Sequence, residues 1–389
     1  MRGLAVLLCL LGCDGTVGSV APPPVPVPDG SPIEEEDASV PVADAMVSVA
    51  DADVATPMVD GDVPDAEPAP EGQVPMFVAY GHAARTLTSC DGGETWMAEH
   101  SFEANGHDHS EYSGLGRMAY GAGKFIACAG WGTPTKIVLS ENGVDWEDLP
   151  DSAFVLEDGT QERPRGGCSG IAWDGTQYAF IAGGRLFQST DGRLWVRHPT
   201  PVPGESHIRA MSGGGGLLVY IRGGAYFSDD GGDSWFQGDG FRTACGGGAQ
   251  RGGRILFDGD RVLVSGRDGV ACVSENRART FRSATIGNNI RFITPDGTGY
   301  LATSYRNELH RSPDGLAWTD LTHDANAEFA ALAREPGGAY VAVSRDAQTF
   351  FRSENGTEWT RARSMGVDDD YLWTIVFGHA SASAACPGE

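Results

Sequence analysis

Along most of the chain, short apolar runs alternate with polar positions and stop at pairs of small turn residues. Segments of this kind occupy residues 125–129, 178–182, 217–221, 262–266, 300–304 and 340–344. A second set, including residues 171–175, 254–259 and 290–297, precedes those runs and ends in glycine-rich turns. Apolar β-formers bounded by Asp-Gly and Gly-Gly pairs predict strands joined as hairpins.

A third element follows each pair. It is Ser-x-Asp/Asn, one or more small residues, and an aromatic six or seven positions after the serine. Seven copies start at Ser89, Ser140, Ser189, Ser228, Ser274, Ser312 and Ser353, and all end on Trp except the fifth, which ends on Phe281. Asp91, Asn142, Asp191, Asp230, Asn276, Asp314 and Asn355 hold the third position. A carboxylate or amide there accepts hydrogen bonds from turn N–H groups, the serine hydroxyl adds another, and glycine takes the positive φ. The aromatic then opens the next strand and buries a large ring between sheets. Units of about 40–45 residues repeated in this way predict a propeller or solenoid.

The element resembles the Asp-box, or BNR repeat, of the sialidase-like propellers. That resemblance implies four-stranded blades with the box joining strands C and D. It places the ligand on the opposite face, built from D–A and B–C loops. The boxes are turn chemistry, not seven active sites. The first unit lacks its own strand A, and residues 371–378 fit that pattern with no repeat after them. The expectation is an all-β, single seven-bladed β-propeller over residues 76–379, closed when the C-terminal strand completes the first blade; residues 380–389 form a tail.

Charge changes the picture at the N-terminus. The formal net charge is −25, yet residues 14–74 carry 14 acids and no Lys or Arg. Setting aside those 14 acids and Arg2, the ring keeps 39 acids against 27 bases, a net of −12. Nucleic-acid binding needs a basic footprint and is not expected. Residues 1–12 read as a secretory signal too short to span a bilayer. Leu10-Leu11-Gly12-Cys13 resembles the lipobox of bacterial lipoproteins, which implies lipidation at Cys13 and a membrane-anchored protein of the cell envelope. Residues 13–75 then form an acidic, Pro/Ala-rich disordered tether, about 40–45 Å end to end as a coil.

Six cysteines lie in the ring, and an exported protein is free to oxidise them. Six allow fifteen pairings. Blade topology narrows these to Cys90–Cys386, which would lock the closure, with Cys128–Cys168 and Cys245–Cys272.

Candidate ligand residues fall in the loops opposite the boxes. His107, Asp108, His109 and Glu111 enter the second blade, and Asp369 and Asp370 lead back into the first. His107, Asp108 and His109 could hold a divalent metal. Arg163, Arg165, His207, Arg242, Arg251 and His323 lie in other loops of that face. Arginines from several blades could grip a carboxylate bidentately. Sialidases, however, carry an early Phe/Tyr-Arg-Ile-Pro motif and six blades, and here the early strands read Phe77-Val78-Ala79-Tyr80 and Arg85-Thr86-Leu87. The expectation is a monomeric, non-catalytic binding or scaffold module for a protein, peptide or glycan; the alternative is a sialidase-like or other exo-acting glycosidase.

Overall fold

The computed structural model describes residues 71–100, 117–129, 134–198, 210–221, 225–246, 255–265, 270–286, 290–304, 307–345, 349–364, 372–384 and 386. They form consecutive antiparallel sheets. In chain order these are β1 (Gln73–Gly81), β2 (Thr86–Ser89) and β3 (Met97–His100); then β4 (Arg117–Gly121), β5 (Lys124–Ala129), β6 (Lys136–Ser140) and β7 (Glu147–Asp148). The third sheet holds β8 (Phe154–Val155), β9 (Cys168–Trp173), β10 (Tyr178–Ala182), β11 (Arg185–Ser189) and β12 (Trp195–His198). The fourth holds β13 (Ala210–Gly214), β14 (Leu217–Ile221) and β15 (Ala225–Ser228), followed by the short helix α1 (Phe241–Ala244). The fifth contains β16 (Ile255–Asp258), β17 (Arg261–Ser265), β18 (Val270–Ser274) and β19 (Arg282–Thr285). The sixth contains β20 (Ile290–Pro295), β21 (Tyr300–Ser304), β22 (Leu309–Ser312) and β23 (Thr319–Leu321). The seventh contains β24 (Phe329–Arg334), β25 (Tyr340–Ser344), β26 (Thr349–Ser353) and β27 (Thr360–Ser364). Finally β28 (Leu372–Ser381) returns to the first sheet and pairs antiparallel with β1.

This is an all-β propeller, but it has six four-stranded blades and not the seven expected. Six sheets carry the full four-stranded meander, and the fourth has three strands, β13-β14-β15. The cause lies just after Trp235. The outer position of that sheet shrinks to one bridge, Phe227 to Phe236, because the chain then leaves to pair Asp239 with Thr280 at the edge of the fifth sheet. Asp239 N–H donates to the Arg279 carbonyl at 2.7 Å, and Phe281 N–H donates to the Asp239 carbonyl at 2.9 Å.

The closing strand is also longer than the alternation predicts. β28 reaches Ser381 because Gln73, Val74 and Pro75 pair with it, at residues assigned to the tether from their sequence. Pro75 is tolerated there because β2 stops opposite Phe77, so β1 is an edge strand at that point and needs no N–H. All three cysteine pairs form: Cys90–Cys386, Cys128–Cys168 and Cys245–Cys272, with Cα separations of 5.8, 5.9 and 5.0 Å. Such spacings are ordinary for disulfides.

The Ser-x-Asp/Asn turns behave as their chemistry requires. In the first, Ser89 Oγ donates to Asp91 Oδ1 at 2.8 Å, while the N–H groups of Gly93 and Thr95 reach Ser89 Oγ and Asp91 Oδ1, each at 2.9 Å. In several turns the closing Trp donates its indole N–H to the turn glycine carbonyl, as Trp195 does to Gly192 at 3.0 Å, Trp235 to Gly232 at 2.9 Å and Trp318 to Gly315 at 2.7 Å. Trp195 is wholly buried beside Phe180.

The turns also stitch neighbouring sheets together. The residue before the serine donates to the carbonyl of the next sheet's turn: Thr88 to Gly143, Gln188 to Gly231, Arg311 to Asn355 and, across the closure, Arg352 to Gly92. Apolar Leu139 and Val273 hold that position in the second and fifth sheets and lie against Gly192 and Gly315 instead. Between the fourth and fifth sheets the contact runs backwards, from Arg277 to the Gly215 carbonyl and from Arg279 to Asp229.

Candidate functional site

With the turn face occupied by these seams, attention moves to the face formed by the connections before each inner strand and between the second and third strands. The best-described part is the segment from Leu149 to Gly167, which leads into the third sheet. Its strand β8 runs parallel to β12 and covers the edge of that sheet, with Phe154 buried against Phe180 and Phe187.

Arg163 organises this segment. Its guanidinium pairs with Asp151 at 2.7 Å and Asp148 at 2.9 Å, and also donates to the carbonyls of Thr135 and Leu149. Burial pulls its proton affinity down, but the two carboxylates outweigh burial and hold it above the usual arginine range. The side chain is 9% exposed. This corrects the expectation that Arg163 grips a ligand: its donors already serve the fold. Neighbouring Lys136 is likewise held by Asp148 at 3.0 Å.

Arg165 is exposed and sits 3.4 Å from Glu162. Arg242 lies exposed on α1, whose last turn leads into the Cys245–Cys272 bridge. His323 bonds through Nε2 to the Asn307 carbonyl at 2.7 Å, and Asp324 accepts the Trp359 N–H at 2.7 Å. Both therefore fasten a connection to a sheet. His107, Asp108, His109, Glu111, His207, Arg251, Asp369 and Asp370 lie outside the described residues, so the candidate metal ligands do too. Among the described residues, no group of three or more His, Cys, Asp or Glu side chains is close enough to hold a metal ion.

Two arginines on this face escaped the sequence reading. Arg117 opens β4 and Arg185 opens β11, so both stand at the loop end of their strands. Neither belongs to a sequence motif, and only the tertiary structure distinguishes them from the arginines around them. By contrast, a cavity of about 280 Å³ on the turn face is lined by Glu141, Asn142, Asp145, Trp146, Glu147 and Arg193. There Arg193 is engaged by Glu141 at 3.0 Å and Glu147 at 2.6 Å.

No protein-family model matches the chain, and no curated protein matches it. Solved structures do. A functionally unknown protein from Desulfotomaculum acetoxidans superposes with a TM-score of 0.51 at 9% identity, covering 77% of this chain and 99% of that one. The periplasmic gluconolactonase PpgL of Pseudomonas aeruginosa gives 0.50 at 11% identity, covering 79% and 99%. YCF48 bound to D1 peptide gives 0.47 at 12% identity, covering 70% and 93%. The first two likenesses, at such low identity, are of fold alone, and they agree with the sheet order: the chain is a β-propeller.

Proposed function

We propose that this chain is an exported, lipid-anchored β-propeller that works as a non-catalytic binding or scaffold module through its loop face. In this reading the Ser-x-Asp/Asn turns are Asp-boxes, Cys13 carries the lipid, and residues 13–75 hold the ring off the membrane. One observation carries the proposal. The turn face is taken up by bonds between sheets, whereas the loop face carries connections such as 149–167, braced by the Cys128–Cys168 disulfide and by Arg163. A rigid scaffold presenting loops is where binding residues concentrate in proteins generally. Three disulfides in the described ring suit an oxidising compartment, and so support export.

The test is site-specific photo-crosslinking in cells that make the protein. A photoreactive residue at Arg165 should capture a partner, and one at Arg193 on the turn face should not. Capture from Arg193 alone, or from no position, overturns the proposal. Turnover of a fluorogenic sialoside by the purified protein would also overturn it, in favour of a glycosidase.

A further inference from the structure

In a ring with more acids than bases, an arginine without a carboxylate is unusual. Among the described residues, the arginines with placed side chains have an ion pair, hydrogen bond or ring partner, apart from two. The two are Arg117 and Arg185, one partly buried and one exposed. Burial lowers the proton affinity of the Arg117 guanidinium, and among the described residues no carboxylate offsets it.

Both belong to one lateral row at the loop end of the second and third sheets. Arg117 is the Cα partner of Cys128, Cys128 is bridged to Cys168, Cys168 is the partner of Ala182, and Ala182 is the partner of Arg185. With strands about 4.8 Å apart, the row spans no more than about 20 Å. The disulfide fixes its middle, so the spacing between the two cations does not depend on a flexible loop. The floor between them is made of small residues. Gly166 crosses Gly183 so closely that a Cβ on Gly166 would lie 2.7 Å from the Gly183 Cα, and Gly183 and Gly184 both take positive φ. Nothing larger than Cys168 and Ala182 stands in the row between the arginines.

We propose that this row, between Arg117 and Arg185, binds an extended acidic peptide, with each guanidinium taking one carboxylate. Guanidinium presents paired N–H donors that match a carboxylate. An extended chain advances about 3.3 Å per residue, so carboxylates about three to six residues apart span the row. A single small acid could engage only one end. The proposal rests on the loop-face reading above and names the chemistry of its ligand.

The probe is fluorescein-labelled hexaglutamate, titrated with the full-length protein at low ionic strength and followed by anisotropy. Saturable binding is expected, weakened on the order of tenfold by Arg117→Met and again by Arg185→Glu, and weakened by added salt. Arg117→Lys should keep the charge but lose the paired donors, with affinity falling between wild type and Arg117→Met, and Arg193→Met on the turn face should change nothing. Arg185 is exposed, so its variant tests the idea even if Arg117→Met fails to fold. Equal loss from Arg193→Met, no loss from the Arg117 and Arg185 variants, or tighter binding of oligogalacturonate than of hexaglutamate would overturn it. If hexaglutamate fails while loop-face crosslinks still form, the acidic-peptide inference falls and the binding-module reading stands; if both fail, both fall.

Discussion

Arg352 donates from Nε to the carbonyl of Gly92 at 2.9 Å, although 260 residues separate them along the chain. The bond sits where the last sheet meets the first, beside the stacked rings of Trp96 and Phe350, 3.8 Å apart. It is therefore part of the closure, together with β28 and the Cys90–Cys386 bridge. A charged hydrogen bond of this kind contributes about 1.5–3 kcal/mol, and Arg352→Ala should lower stability by that order in urea unfolding. Breaking the bridge with Cys386→Ser should cost about 2–4 kcal/mol. Since both act at one junction, the double variant should depart from additivity. Unchanged unfolding of Arg352→Ala would show that the seam bond is dispensable.

The turn glycines have a second duty besides positive φ. Gly315 sits at φ +81°, and a Cβ there would lie 2.7 Å from Leu263 Cδ2 and 3.1 Å from Val273 Cγ2, both on the neighbouring sheet. Gly159 has the same φ of +81° with nothing within 4 Å. Gly159→Ala should therefore cost only the backbone term, about 1 kcal/mol. Gly315→Ala adds overpacking of about 1–3 kcal/mol. Equal thermal shifts for the two would mean that the turn does not press on its neighbour.

Much of this was legible because turn chemistry is local. Ser-x-Asp/Asn followed by Gly and an aromatic specifies a hairpin whatever surrounds it, and seven copies imply a repeated sheet. The closure was legible for the same reason, since residues 371–378 match strands that precede turns elsewhere. The short fourth sheet was not, because Asp239 leaves it for a partner forty residues on, which no local pattern encodes. Nor was the role of Arg163. In sequence it is an arginine in a polar loop, and only the fold brings Asp148 and Asp151 to it. Arg117 and Arg185 are the reverse case, since what marks them is a partner they lack.

Arg163 should accordingly behave as a structural residue. Arg163→Met keeps an apolar stem but leaves Asp148 to Lys136 alone and strands the Thr135 and Leu149 carbonyls at a partly buried site. Breaking a buried pair from one side costs about 3–5 kcal/mol, and the exposure of Asp151 places the expected loss at the lower end. Circular dichroism melts should show it, while hexaglutamate affinity of the folded fraction should not change. A specific loss of affinity at unchanged stability would restore Arg163 as a ligand residue.

Lipidation is tested separately from the ring. Cells fed an alkynyl palmitate should label the wild-type chain, and Cys13→Ala should lose the label and move the protein to the soluble fraction. Label that survives Cys13→Ala would exclude Cys13 as the anchor.

The turn carboxylates should make the ring sensitive to acid. For Asp230, the Ser234 hydroxyl and then the Ser234 N–H hold the carboxyl down to about 2. Asp314 is lowered mainly by the Ala317 N–H, while in Asp91 and Asp191 burial raises the carboxyl and hydrogen bonds from the turn more than offset it. A carboxyl depressed in the folded state stabilises above its unfolded value of 3.8, and that stability is lost as pH falls through the folded value. For Asp230 the window runs from about pH 4 to about pH 2. His100 and His379 are pushed below 6.5 by burial, so some stability is already lost below pH 6.5 as the unfolded chain takes up protons. Comparing variant with wild type removes that background. Asp230→Asn should melt below wild type at pH 7, and the gap should close between pH 4 and pH 2. Thermal melts across that range check it: a gap independent of pH would mean that the Asp230 charge contributes nothing to the turn.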